Sequence, residues 1–118
     1  MEPLQDKRVV QIIEAAQAKK AFELIVLDLQ EIVTYTDVFI ICSGNTTRQI
    51  QAICDNIEAA LKKESKVRPL HIEGYREAEW ILLDYSDIIV HVFVPEKRKF
   101  YNLEKLWIDA KSIPIAEG

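Results

Sequence analysis

Glycine and proline are scarce in this chain, three and four among 118 residues. A sequence so poor in both does not encode long disordered linkers, and no repeat or low-complexity stretch divides it. Long apolar runs are missing too. Ile88–Val94 covers seven residues with a histidine inside, far short of the ~20 that a membrane helix needs. The opening Met1-Glu-Pro-Leu-Gln-Asp-Lys-Arg8 lacks the apolar stretch of a secretory signal, so residence in the cytosol is the expectation. Cysteine occurs twice. Neither the count nor the spacing of Cys42 and Cys54 suits a zinc site, and both are expected to stay reduced and fill core space. An excess of positive charge is also absent: 15 basic against 19 acidic residues give a net charge of −4. That sign is wrong for sequence-specific grip on nucleic acid through the whole surface, and it suits docking on a basic protein.

What the chain does have is apolar residues, 49% of the total, enough for the core of a single domain. Residues 6–20 predict a helix, because Val9, Ile12, Ile13 and Ala16 recur at helical spacing. Leu24–Leu27 reads as a short strand. Val38-Phe-Ile-Ile-Cys42 reads as a second strand, apolar throughout and therefore buried on both faces. Ser43-Gly-Asn45 supplies a turn. Thr46 then caps a helix whose Gln49 completes a capping-box pattern, with Ile50, Ile53, Ile57, Ala60 and Leu61 along one face. A short strand follows near Pro69–Ile72. Two more, Trp80–Tyr85 and Ile88–Val94, are joined at Asp84–Asp87. Pro95-Glu96 stops the last strand, a helical tail carries Leu103, Leu106 and Trp107, and the chain from Ile113 to Gly118 is expected to fray. This succession predicts an α/β fold, one mixed sheet with flanking helices and Val38–Cys42 among its inner strands.

Candidate chemistry is thin. Ser43-Gly-Asn-Thr-Thr47 lies between a strand and a helix, where backbone N–H groups can attract phosphate. It has one glycine and no lysine cradle, so it is not a phosphate loop. A magnesium-dependent nucleotidyl-transfer site needs two carboxylates converging on its ions. Glu77 and Glu79 precede their strand core, and Asp84 and Asp87 fall across a turn. His91 shares a strand face with Ile89 and Phe93. It reads either as an imidazole hydrogen-bonded within the fold or as a ligand or base, but no second ligand or nucleophile accompanies it. Ser43 and Ser86 are turn serines without a relay. No catalytic, cofactor-binding or metal-binding set is legible.

A surface reading has more support. On the Trp80–Tyr85 strand, Trp80, Leu82 and Asp84 alternate onto one face, and Ile81, Leu83 and Tyr85 onto the other. The Ile81/Leu83 face suits the core. The opposite face joins a tryptophan to a carboxylate, which fits an interface anchor with its polar neighbour; the alternative is a Trp80 packed beneath a helix. Periodicity leaves both open.

Several strings together carry a resemblance: Asp37-Val-Phe-Ile-Ile-Cys-Ser-Gly-Asn-Thr-Thr-Arg-Gln49, Glu73-Gly74, Trp80-Ile-Leu-Leu-Asp-Tyr-Ser-Asp-Ile-Ile-Val-His-Val-Phe93 and Arg98-Lys-Phe-Tyr-Asn-Leu-Glu-Lys-Leu-Trp-Ile-Asp-Ala110. In this order and spacing the chain resembles the ribosomal silencing factor, or Iojap, family from about Asp6 to Ala110. The resemblance implies a single domain over 1–118 with a core at about 6–110, and a nucleotidyltransferase-like topology without catalytic acids. It implies a translational repressor, not an enzyme, that needs no cofactor. Its expected partner is ribosomal protein fourteen of the large subunit; docking there blocks joining of the subunits and lowers translation when nutrients are short. Docking residues carry over to Trp80, with Asp84 and Tyr85 beside it. A homodimer is expected when the protein is free, with no membrane partner. Asn45-Thr46-Thr47 departs from a serine-rich version common in the family and leaves the turn chemistry intact. Organellar members carry extra N-terminal sequence, so this chain is expected to be bacterial and cytoplasmic. Rival readings are a nucleotide-handling enzyme with an unusual metal site near Gly44 and a dimeric adaptor that does not touch the ribosome.

Overall fold

Six consecutive buried residues form β2 (Val38–Ser43), and both faces of that strand are covered. In the computed structural model, which describes residues 1–116, β2 runs parallel to β5 (Ile88–Phe93) and antiparallel to β1 (Phe22–Asp28). Beyond β5 lie β4 (Trp80–Asp84) and the short edge strand β3 (His71–Glu73), both added antiparallel. Beyond β1 lies β6 (Lys111–Pro114), giving the order β3-β4-β5-β2-β1-β6. The sheet is therefore mixed, with Val38–Cys42 at its centre, as the apolar run predicts.

One face is closed by two long helices. In α1 (Lys7–Ala18), the Asp6 side chain caps the helix by accepting from the Arg8 backbone N–H at 2.9 Å. In α2 (Thr47–Ser65), Thr46 accepts from the Gln49 N–H at 3.0 Å. The Gln49 side chain returns one residue earlier than a capping box requires, to the Asn45 N–H at 2.6 Å. The predicted stripe is buried: Ile50, Ile53, Ile57 and Leu61 meet Val26, Ile40, Ile81, Leu83, Val90 and Val92 in the main core. Cys42 and Cys54 are free thiols within it, and burial pushes the Cys42 pKa up to about 12. Arg8 ties this layer to the β4–β5 turn through two hydrogen bonds to Asp87, at 3.0 and 2.7 Å.

The C-terminal region differs from expectation twice. The single helical tail is two short helices, α3 (Pro95–Tyr101) and α4 (Leu103–Leu106), broken where Asn102 adopts the left-handed conformation at φ 45°. Fraying from Ile113 is also overturned. Lys111–Pro114 pair with β1 from Asp28 to Ile25, and the Ile115 N–H donates to the Leu24 carbonyl. A strand with so little apolar pattern is held by the edge that receives it, and its own sequence gives little warning. The last two residues of the predicted tail lie outside the described residues.

Candidate functional site

The sheet face away from the long helices carries a smaller core of Leu27, Phe39, Ile41, Phe93, Leu103 and Ala110, with Trp80, Ile89 and Trp107 packed at its margin. Trp80 opens β4 and sits directly across from Phe93. Their rings stack at 5.0 Å between centroids, and Tyr101 approaches the indole at 4.6 Å. The Trp80 Nε1–H donates to His91 Nδ1 at 3.1 Å. His91 is 4% exposed and meets the Phe39 ring edge-on at 4.5 Å. Burial lowers its pKa to about 3, so the ring is neutral across the ordinary pH range. Of the two readings of His91, hydrogen bonding within the fold is the one realised.

Strand alternation places the other two expected contact residues apart. Asp84 shares the Trp80 face, partly exposed, and its carboxylate accepts from the Ser86 N–H at 2.8 Å. That bond shapes the turn, where Ser86 takes φ 77°. Tyr85 faces the helix layer and is 5% exposed; burial, reinforced by Glu58, raises its phenol pKa. The strand entry is constrained as well. Gly74 has φ +78°, and a Cβ there would collide with the Trp80 carbonyl oxygen, so a side chain at this position would displace the tryptophan.

Beside Trp80, Tyr101 meets the Phe100 ring edge-on at 5.0 Å. Phe100 is 76% exposed with Tyr101 exposed beside it, and Leu106 and Ile108 further along the chain are exposed too. Exposed apolar side chains gathered on one region mark a surface built for contact. Helices α3 and α4 are clamped by Arg98. Its Nε donates to Glu104 Oε1 at 3.0 Å, and its Nη1 donates to Ser43 Oγ at 3.0 Å and to the Glu23 carbonyl. Sequence reasoning missed Arg98, Tyr101 and Phe39. Arg98 and Tyr101 reach the site from α3 and Phe39 from β2, and only the fact that β2 is apolar throughout hinted that its second face was occupied.

The loop Ser43–Thr47 is engaged within the fold. The Gly44 N–H donates to the Phe93 carbonyl at 2.9 Å, the Asn45 N–H donates to Gln49 Oε1, and the Gln49 N–H donates to Thr46 Oγ1. Among the described residues, no group of three or more His, Cys, Asp or Glu side chains is placed to hold a metal ion. No described helix is long and apolar enough to cross a membrane.

A mixed sheet sealed by two long helices on one side, with an aromatic cluster on the other, defines the molecule as an α/β domain. Residues 3–117 match the family described as ribosomal silencing factor during starvation. The chain belongs to that family. It is 39% identical over 115 residues to the ribosomal silencing factor RsfS of Bacillus subtilis, covering 97% of this chain and 94% of that protein. The counterpart from Halalkalibacterium halodurans is 38% identical over 103 residues, 87% of each chain. A crystal structure of a Chromobacterium violaceum protein superposes with a TM-score of 0.82 at 32% identity, covering 91% of this chain and 87% of that one.

Proposed function

We propose that this protein represses translation by docking its Trp80 face on ribosomal protein fourteen of the large subunit, so that the small subunit cannot join. The observation that carries this reading is the exposed pair Phe100 and Tyr101 packed beside a partly exposed tryptophan. Trp80 is the anchor and Asp84 its polar neighbour at the end of the same strand face. Tyr85, buried on the opposite side, contributes by holding the β4–β5 turn that sets Asp84 in place. The net charge of −4 complements a basic ribosomal surface and speeds encounter with it. The protein acts in the cytoplasm when nutrients are limiting, and it is a homodimer when free.

Co-sedimentation with isolated large subunits, paired with a subunit-joining assay, tests the reading. Trp80→Ala is expected to weaken large-subunit binding by about 2 kcal/mol, a hot-spot loss, or roughly thirtyfold. Its melting transition should remain cooperative, because the main core under α1 and α2 does not include Trp80. A folded Trp80→Ala protein that still blocks joining at wild-type concentrations removes this face from the mechanism.

A further inference from the structure

The Trp80 indole is held from several directions. Phe93 stacks on it with 22° between the ring planes, and Tyr101 leans against it at 46°. Stacking fixes the plane of a ring without choosing which edge faces which way. Tryptophan χ2 has two broad wells about half a turn apart, so packing alone leaves two orientations that bury similar area. The bond from Nε1 to His91 Nδ1 is directional, and it distinguishes them.

His91 is well fixed for that task. It lies in β5 directly across from Leu82 of β4, buried, with Phe39 edge-on at 68°. Accepting at Nδ1 places the proton of the neutral ring on Nε2. Nε2 has no hydrogen-bond partner among the described residues. A buried polar ring is costly to desolvate, and an apolar residue would fill the site without that cost. The engaged nitrogen is the one that meets Trp80.

We propose that His91 is the positioning residue of the docking face, its Nδ1 fixing the Trp80 indole in the single orientation that a partner meets. The inference rests on the reading of Trp80 as the anchor, and it adds a residue that never touches the partner.

Two measurements test it. The chain has two tryptophans, so its nitrogen-15 indole spectrum has two N–H signals, which Trp80→Phe assigns. His91→Leu should shift the Trp80 signal upfield, and His91→Asn, whose Oδ1 stands near the lost Nδ1, should restore it. Against isolated large ribosomal subunits, His91→Leu should bind about fivefold more weakly, the scale of one hydrogen bond, and His91→Asn should retain wild-type affinity. In a Trp80→Ala background, His91→Leu should have no further effect on binding. His91→Phe replaces the leucine variant if that protein does not melt cooperatively. Unchanged binding by folded His91→Leu, with Trp80→Ala weakened, overturns the positioning role and leaves the docking reading standing. Weakened binding by both His91→Leu and His91→Asn, each folded, assigns His91 to packing and overturns the proposal. Unchanged binding by Trp80→Ala overturns the docking reading, and the positioning role with it.

Discussion

His91 also gives the fold a dependence on pH. In the unfolded chain it titrates near the ordinary value of about 6.5, whereas burial lowers it to about 3 in the native state. Between those values the unfolded chain takes up a proton that the native ring refuses. The stability this group confers is therefore complete above about pH 6.5 and is lost progressively as pH falls toward 3. The slope is at most ~1.4 kcal/mol per pH unit, so going from about pH 7 to about pH 5 removes about 2 kcal/mol. Urea unfolding at pH 7 and pH 5 should show that difference in the wild type, and His91→Asn should lack it. Equal pH dependence in both proteins would show that the native ring titrates normally.

At the scale of elements, Arg98 ties α3 and α4 to the sheet alongside the packing of Tyr101 on Trp80 and of Leu103 in the smaller core. Arg98 joins Glu104 of α4 to the buried Ser43 of β2 and to the backbone at Glu23, where β1 departs from regular pairing. Arg98→Ala is expected to cost on the order of 2 kcal/mol, below the roughly 3–5 for a fully buried pair, since Glu104 remains partly exposed. Hydrogen exchange should quicken from Pro95 to Leu106 while α2 keeps its protection. Elements with their own pattern were legible in the sequence: β2 by its unbroken apolar run, α2 by its cap and isoleucine stripe, and the β4–β5 hairpin by alternation about Asp84–Asp87. The break at Asn102 was not, because a single residue entering the left-handed region leaves the apolar spacing on either side intact. The site was half legible. Alternation placed Trp80 and Asp84 on one face and Tyr85 on the other, but the contacts of Trp80 with His91 and Tyr101 depend on register and on a later helix.

For the whole molecule, the order of strands in the sheet departs from their order along the chain. The central parallel pair joins Val38–Ser43 to Ile88–Phe93, with α2, β3 and β4 between them in sequence. Such long-range pairing costs loop-closure entropy before it is rewarded, which favours slow folding. The last strand, β6, covers an edge of β1 that carries Ile25, Val26 and Leu27. A chain ending at Ala110 is expected to melt earlier and to self-associate, because an uncovered apolar edge is a template for further pairing. Differential scanning fluorimetry and light scattering check both effects, and a monodisperse truncated protein with the full-length melting temperature would show that β6 is dispensable.

That arrangement bears on how each copy of the protein comes into being. Chains are made from the N-terminus, and early segments begin to fold before late ones emerge. Strands β1 to β5 all precede Lys111–Pro114 in the chain and are therefore made before it. Until β6 emerges, β1 waits with its outer edge bare. The sheet is finished only when its last strand, Lys111–Pro114, has emerged and paired with β1.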